Sequence, residues 1–143
     1  MEELKNIDPK SLKSDIFQDL TINCLCYSVY DGDTISVIFK FGELYCRKNI
    51  RLLGIDSCEI KSKIKSEKDL AIRARDYLRE KILGKLIQIN MLKLDKYGRQ
   101  LGIIYCDNIN INEDLIKGGF VRPYDGKKKE IWNLDNDLNI LDN

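Results

Sequence analysis

Apolar and polar side chains alternate along five stretches of the chain, and this period of two predicts half-buried β-strands. The predicted strands cover residues 21–30, 33–40, 44–55, 86–92 and 99–106. Within the second of them, Asp33 is in phase with the apolar Ile35, Val37 and Phe39. We therefore expect the Asp33 carboxylate at the mouth of a row of side chains that faces the core.

Between the third and fourth predicted strands the apolar period lengthens to about four, which indicates an amphipathic helix. Its apolar positions are Leu70, Ala74, Leu78 and Ile82. Ser66 and Asp69 resemble a capping box at its start, and Gly84 supplies its stop. A second, short helix is predicted to begin with Asn112 as its cap and to end at Gly118.

The order of three strands, a helix, two strands and a helix is typical of an OB-type barrel, a small and partly open Greek-key fold. We therefore predict an α+β, mainly β domain over residues 21–132, a five-stranded OB-fold barrel with two to three helices. Residues 1–20 are predicted to form a short docked helix or a loose arm, and residues 133–143 an acidic tail. Such barrels commonly bind nucleic acids or oligosaccharides.

The composition favours one soluble domain. A length of 143 residues suits a single domain, and no apolar run reaches the roughly 18 residues of a membrane span. The first residues are acidic and polar, unlike a signal peptide. Five cysteines, an odd number without a C-x-x-C pair, are expected to be reduced thiols. We expect an intracellular monomer, in the cytoplasm or the nucleus.

The chain contains no histidine, and this absence narrows the possible chemistry. It excludes Ser-His-Asp and Cys-His nucleophilic catalysis, the histidine-dependent zinc hydrolases and every nuclease with a histidine base. A hydrolase with this composition has to rely on carboxylates, a hard metal ion, Lys, Tyr or Arg.

Charge is distributed unevenly although the net charge is only +1. Residues 61–99 contain 12 Lys and Arg against 5 Asp and Glu, whereas residues 130–143 contain 4 acidic residues and no basic ones. A basic middle with acidic ends would offer a polyanion one favoured face. An ordinary solvated helix rich in Lys and Arg explains the same count.

Three short charged segments hold the candidate chemistry. They read D-G-D-T at residues 31–34, R-L-L-G-I-D-S-C-E at 51–59 and D-K-Y-G-R at 95–99. A hairpin turn, a surface ion pair and a second turn are their ordinary structural explanations. Because like charges repel, the two carboxylates of the middle segment also indicate a bound divalent cation or a phosphate. The third segment suits phosphate contact and base stacking.

The order of these motifs, followed by I-N-E-D-L-I-K-G-G-F at residues 111–120, resembles the staphylococcal nuclease (thermonuclease) family. The resemblance runs from about residue 30 to residue 124. It implies an OB-fold nuclease that uses Ca²⁺ and hydrolyses phosphodiester bonds of DNA, RNA or both. Nucleic acid is therefore the expected partner.

The resemblance also implies a role for each matching residue. The implied metal ligands are Asp33, Asp56 and the backbone carbonyl of Ser57. The implied catalytic residues are Arg51, Glu59 and Arg99, with the arginines on the scissile phosphate and Glu59 as general base or water-orienting group. The implied nucleotide contacts are Lys96 and Tyr97. Residues 121–126 replace a stretch in which the family carries further nucleotide-contacting tyrosines, and Tyr124 is the candidate to substitute for them. Asp31 and Thr34 are implied to support the metal ligands.

The sequence differs from the family beside the candidate base, and two functions other than nuclease activity remain open. Ser57 and Cys58 stand where the family usually has Thr and Pro, and the missing proline leaves the placement of Glu59 less constrained. Cys58 as a nucleophile has no histidine base to support it. A catalytically silent OB module that binds nucleic acid or protein and a purely structural domain are the alternatives. Silent copies are expected to have lost some of the five charged site residues, all of which are present here.

Overall fold

The computed structural model describes residues 2–12 and 15–134. Over these residues the chain forms eight β-strands and two α-helices. The strands are β1 (Thr21–Asp31), β2 (Thr34–Phe41), β3 (Leu44–Leu52), β4 (Ile55–Asp56), β5 (Leu86–Leu94), β6 (Gln100–Cys106), β7 (Ile109–Asn110) and β8 (Arg122–Pro123). The helices are α1 (Lys65–Ile82) and α2 (Ile111–Lys117). The predicted order of the main elements is confirmed, and β4, β7 and β8 are additional two-residue strands.

Five of the strands close into a barrel. β1, β2 and β3 form an antiparallel meander, and β5 pairs antiparallel with both β1 and β6. β3 then runs parallel to β6 through residues 50–52 and 100–102, which joins the two edges. Gly102 permits this approach, since a Cβ there would lie 2.9 Å from Ile89 Cγ2 and 3.1 Å from Ile50 Cγ2. The predicted five-stranded OB-type barrel is confirmed.

The core lies inside the barrel and under α1. Ile35 and Val37 are fully buried on β2, and Asp33 continues the same row at 6% exposure, as its phase in the sequence predicted. On α1, Ala74 and Leu78 belong to the same buried cluster as the barrel side chains. The row that carries Asp33 is therefore fixed by apolar packing further along β2.

The start of α1 differs from its prediction. The helix begins at Lys65 with Ile64 as its N-cap, and no side chain caps it. The predicted capping box of Ser66 and Asp69 is therefore wrong, because both residues lie inside the helix. Asp69 instead pairs with Lys65 Nζ at 2.9 Å.

The start of α2 also differs. Asn110, not Asn112, is the N-cap, and its side chain accepts a hydrogen bond from the Glu113 N–H. Asn112 is buried and makes three hydrogen bonds to backbone: it accepts from the Ile104 N–H of β6 at 3.1 Å and donates to the carbonyls of Leu53, just after β3, and of Gly102 in β6 at 2.9 and 3.1 Å. Its amide thus ties α2 to the region where β3 ends beside β6.

The third strand is shorter than predicted and ends at Leu52 rather than at residue 55. Gly54 adopts a φ of +83°, so the chain turns there and resumes as β4. β4 pairs antiparallel with β8, with Asp56 opposite Arg122, and the Tyr124 N–H donates to the Gly54 carbonyl. This pairing brings the C-terminal part of the described chain to the strand that carries Asp56.

The N-terminal residues form two short 3-10 helices, Glu2–Asn6 and Pro9–Ser11, neither of which has a buried residue. Leu12 and Ile16 are 62% and 60% exposed, whereas Phe17 packs edge-on against Phe39. Residues 135–143, most of the predicted acidic tail, lie outside the described residues. No helix within the described ranges combines the length and apolar character that crossing a membrane requires.

Candidate active site

Two carboxylates meet at one guanidinium nitrogen at the end of the barrel where β2 begins and β3 ends. Arg51 Nη2 lies 3.3 Å from Asp33 Oδ2 and 3.7 Å from Asp56 Oδ1. All three side chains are at least nine-tenths buried. The β2–β3 register places Arg51 opposite Thr34, which sets it beside Asp33. The turn at Gly54 then returns the chain so that Asp56 reaches the same point.

The Asp33 carboxylate is held at both oxygens. Oδ1 accepts a hydrogen bond from Thr34 Oγ1 at 2.9 Å, and Oδ2 accepts one from the Ser57 N–H at 3.0 Å. The Asp33 N–H in turn donates to Asp31 Oδ1. Burial, followed by the charge of Asp33, raises the pKa of Asp31. Asp31, Thr34 and Ser57 thus lie around Asp33 as a supporting set.

Arg51 is fixed by the backbone as well as by the carboxylates. Its Nη1 donates to the carbonyls of Leu52 and Ile55 at 2.9 and 3.0 Å. A planar guanidinium with five donors can satisfy both carbonyls and both carboxylates at once. The turn between β3 and β4 therefore folds around the Arg51 side chain.

Asp56 has two cationic partners that sequence reasoning missed. Arg122 binds Asp56 Oδ2 through Nε and Nη2 at 3.2 and 3.1 Å, and Lys129 Nζ lies 3.1 Å from Asp56 Oδ1. The available signal was the run of lysines at 127–129 just before the acidic C-terminal stretch. That Lys129 contacts Asp56 depends on the pairing of β4 with β8. Strands of two residues are too short to be predicted from the sequence.

The oxygen atoms at this point suit a hard divalent cation. Asp33 and Asp56 contribute carboxylate oxygens, and the Ser57 carbonyl follows directly in the chain. Asp56 Oδ1 is buried and makes no hydrogen bond within the described part of the chain; it faces the cationic groups of Arg51 at 3.7 Å and Lys129 at 3.1 Å, and is thus placed to attract a cation. Carboxylate and carbonyl oxygens are the donors that Ca²⁺ prefers, and these residues fit such an ion. The ammonium of Lys129 lies at the same oxygen.

Glu59 is not brought into this group. Its side chain is exposed. Across residues 2–12 and 15–134, no three His, Cys, Asp or Glu side chains come together closely enough to hold a metal. Cys58, which replaces the family proline, is 1% exposed and packs with Leu70 and Ala71. Burial raises the pKa of the Cys58 thiol to about 12, which argues against a nucleophilic role.

The loop between β5 and β6 places a second arginine near the first. Arg99 Nε lies 2.6 Å from Asp95 Oδ2, and Asp95 also accepts hydrogen bonds from the N–H groups of Tyr97 and Arg99. Burial opposes ionisation of Asp95, but these hydrogen bonds outweigh it and hold its pKa below the usual value. Lys96 Nζ and the Arg99 guanidinium lie 5.3 and 5.4 Å from the centre of the Tyr97 ring.

A cleft of about 500 Å³ joins this loop to Arg51. Its lining includes Arg51, Lys96, Tyr97, Arg99 and Tyr124. The structure therefore brings both candidate arginines and the three candidate nucleotide-contact residues to one concave surface.

A larger groove, of about 1060 Å³, lies elsewhere on the barrel. Its walls include Cys24, Phe39 and Tyr45, and none of the candidate site residues lines it. The size of a groove does not identify the site here, since the candidate cations Arg51, Lys96 and Arg99 line the smaller cleft.

Comparison with known proteins identifies a family that this chain matches. The family model described as "Staphylococcal nuclease homologue" matches residues 49–140. The match includes Arg51, Asp56 and Arg99, whereas Asp33 precedes it and is brought to Asp56 by the fold.

Several curated relatives resemble the chain. An "Uncharacterized endonuclease" of Escherichia coli O157:H7 is 31% identical over 116 residues, which are 80% of this chain and 66% of that protein. A "Probable staphylococcal-like nuclease CAN3" of Oryza sativa subsp. japonica is 38% identical over 78 residues, 54% of this chain and 19% of that protein. The "Staphylococcal-like nuclease CAN1" of Arabidopsis thaliana is 34% identical over 89 residues, 62% of this chain and 26% of that protein.

The chain thus spans about two thirds of the bacterial relative and 19% and 26% of the two plant relatives. The family model nevertheless covers well over half of the chain, and the matched residues include Arg51, Asp56 and Arg99. The chain belongs to the family of staphylococcal nuclease homologues.

Proposed function

We propose that this chain is a Ca²⁺-dependent nuclease that hydrolyses phosphodiester bonds of DNA, RNA or both. The observation that carries the proposal is that Asp33 and Asp56 meet at Arg51, and that Arg51 in turn lines one cleft with Arg99. Two carboxylates beside two arginines combine oxygen ligands for a cation with donors for a phosphate. The names of the bacterial and plant relatives support the same reaction class.

In this proposal Asp33, Asp56 and the carbonyl of Ser57 would hold Ca²⁺, and the bound ion would supply Lewis-acid chemistry to the phosphate. Asp31 and Thr34 keep Asp33 in place through its N–H and its carboxylate. The oxygen ligands are thus oriented before a cation binds, which lowers the entropic cost of binding.

The two arginines act on the scissile phosphate. Arg51 lines the cleft from a buried position, and Arg99 lines it from a position that is about half exposed. Because Asp95 holds Arg99 Nε, the guanidinium is oriented before the substrate binds. Guanidinium groups remain charged at all working pH values and can stabilise the negative charge that develops in the transition state.

Glu59 accepts the proton of the attacking water or orients that water, for which its exposed position gives access to solvent. Tyr97, which is 71% exposed, and Tyr124 offer ring faces for bases, and Lys96 offers a cation for the neighbouring phosphate. The reaction is thereby assigned to carboxylates and arginines, in keeping with a chain that lacks histidine.

The test is a digestion assay on single-stranded DNA, duplex DNA and RNA, with Ca²⁺ or with EGTA, from pH 7 to pH 9.5. Wild-type protein is expected to cleave at least one substrate with Ca²⁺ and none with EGTA. Glu59→Gln should lower the rate by about 10²- to 10⁴-fold, the range of general base catalysis. Glu43→Gln changes an exposed carboxylate in the β2–β3 turn and is the matched control.

Intact substrates throughout this series, with Mg²⁺ and Mn²⁺ also included, would refute the proposal. Binding of the same substrates without cleavage would favour the silent OB module. Equal losses in Glu59→Gln and Glu43→Gln would remove Glu59 from the mechanism.

A further inference from the structure

The chain from β8 onward folds back over Asp56. Arg122, the first residue of β8, anchors it there through an ion pair with the Asp56 carboxylate. The Arg122 guanidinium lies 4.0 Å from the centre of the Trp132 ring, and its Nη2 donates to the Glu130 carbonyl at 2.6 Å. Trp132 packs against the buried cluster of Cys58, Leu70 and Ala71. We call residues 122–132 the returning segment. Its two ends are fixed, and Lys129 lies between them.

The two cations on Asp56 are held in different ways. The Arg122 side chain is 12% exposed and has the Glu130 carbonyl and the Trp132 ring as further partners. The Lys129 side chain is 44% exposed and contacts Asp56 Oδ1 at 3.1 Å. Lysine is a flexible point charge, and an ion pair that is half exposed to solvent is weak. Lys129 is therefore the partner that can leave Asp56 at low cost.

Lys129 also lines a cleft that contains the residues proposed to contact the substrate. This cleft has a volume of about 530 Å³ and is also lined by Lys96, Tyr97, Arg99 and Tyr124. Its Nζ is 5.7 Å from the centre of the Tyr124 ring, within the usual range of a cation–π contact. One side chain thus stands between the carboxylate proposed to bind the cation and the cleft proposed to bind phosphate.

The charge balance favours a movement of Lys129, the most exposed of the three cations at Asp56, when a further cation binds. Asp33 and Asp56 already face the cations of Arg51, Arg122 and Lys129. A divalent cation on Asp56 Oδ1 would meet the Lys129 ammonium, which lies on the same oxygen, and like charges in so small a volume repel.

We infer that Lys129 is an exchangeable cation, which occupies Asp56 Oδ1 in the absence of metal and moves to a substrate phosphate when the metal binds. Metal and substrate binding are then coupled through one lysine, since each ligand favours the same position of its side chain. This inference rests on the proposed function and goes beyond it by assigning a residue outside the predicted site.

The experiment compares wild-type protein with Lys129→Gln and Lys128→Gln by calorimetric titration with Ca²⁺. Lys128 is exposed and lines the same cleft without contacting Asp56, so its variant measures the general effect of losing one positive charge. Lys129→Gln is expected to bind Ca²⁺ more tightly than Lys128→Gln by about two- to fivefold, the size of a partly exposed ion pair.

The second measurement is the affinity for a nucleoside 3′,5′-bisphosphate, with Ca²⁺ and with EGTA. Lys129→Gln is expected to weaken binding more with Ca²⁺ than with EGTA, because Lys129 is committed to Asp56 without metal. Lys128→Gln is expected to weaken binding equally in both conditions. Fluorescence of Trp132, the single tryptophan of the chain, reports whether the returning segment keeps its place in each variant.

The outcomes separate this inference from the nuclease proposal. Equal Ca²⁺ affinities in Lys129→Gln and Lys128→Gln, with substrate still cleaved by wild-type protein, would overturn the exchange and leave the nuclease proposal standing. An absence of Ca²⁺ binding in all three proteins would overturn both. A loss of bisphosphate affinity in Lys129→Gln, relative to wild type, that is equal with Ca²⁺ and with EGTA would overturn the coupling.

Discussion

The Arg51 guanidinium lies 3.3 Å from the Asp33 carboxylate, and both side chains are more than nine-tenths buried. Arg51 also binds two backbone carbonyls, which a lysine ammonium cannot reach together with both carboxylates. Arg51→Lys is therefore expected to lower the free energy of unfolding by about 3 kcal/mol, as for a broken buried ion pair. Urea denaturation measures this loss.

Arg47→Lys is the matched control for this change, because Arg47 lies on the exposed part of the same strand. Its effect on the free energy of unfolding is expected to stay within about 0.5 kcal/mol. Equal stabilities of the two variants would contradict the buried network around Arg51. Under the proposed function, Arg51→Lys also loses hydrolysis at denaturant concentrations where it remains folded.

The two asparagines at the start of α2 are expected to differ in importance. Asn112→Ala leaves the Ile104 N–H and the Leu53 carbonyl without this partner, while the Gly102 carbonyl keeps the Leu53 N–H, and the change should cost about 3 kcal/mol. Asn110→Ala removes one helix cap and should cost about 1 kcal/mol. Thermal or urea denaturation of both variants decides the order. A larger loss for Asn110→Ala would mean that Asn112 is the weaker contact.

A methyl group on Gly32 is expected to disturb the candidate site. An added Cβ would lie 2.7 Å from Ser57 Oγ and 2.8 Å from Ala74 Cβ, and Ala74 is fixed on α1. Gly32→Ala should cost about 1–3 kcal/mol through overpacking. Because the Ser57 N–H binds Asp33, the displacement should also weaken Ca²⁺ binding in calorimetric titration.

Gly42→Ala provides the comparison. Gly42 has a φ of +61° and open space around its Cβ position, so that substitution strains the backbone by about 1 kcal/mol without touching the site. It should leave Ca²⁺ affinity at the wild-type value. Unchanged Ca²⁺ affinity in Gly32→Ala as well would show that Ser57 does not transmit the displacement to Asp33.

The cysteines are expected to react at very different rates. Burial raises the pKa of Cys24 to about 12 and that of Cys26 to about 11, so few thiolates exist at pH 8. Cys46 is partly exposed on β3. An aromatic disulfide reagent should label Cys46 quickly in the native protein, and Cys46→Ser should remove the fast phase. A fast phase that persists in Cys46→Ser would place the accessible thiol elsewhere.

The features that follow from local periodicity could be predicted from sequence. Alternation along β2 placed Asp33 on the buried row with Ile35, because both depend on the same backbone pleat. The choice of helix cap could not be predicted, since Asn110 and Asn112 have the same capping chemistry. The buried contacts of Asn112 with strand backbone decide it.

The contacts of Asp56 with Arg122 and Lys129 could not be predicted from the sequence. Arg122 is 66 residues away in the chain, and the two meet through strands of only two residues each. Neither strand has enough length to show a period. Contacts of this kind depend on the closed barrel and on the turn at Gly54, so they become visible only in three dimensions.

The three-residue seam between β3 and β6 has a consequence for the order of folding. It joins positions about 50 residues apart, so it carries a high loop-closure cost and is expected to form late. Arg51 is one of the three β3 residues that pair with β6. Arg99 ends the loop that directly precedes β6. During synthesis the two arginines cannot face one cleft until β6 has left the ribosome. A chain that acts on nucleic acid would therefore gain its paired arginines only after β6 has been synthesised.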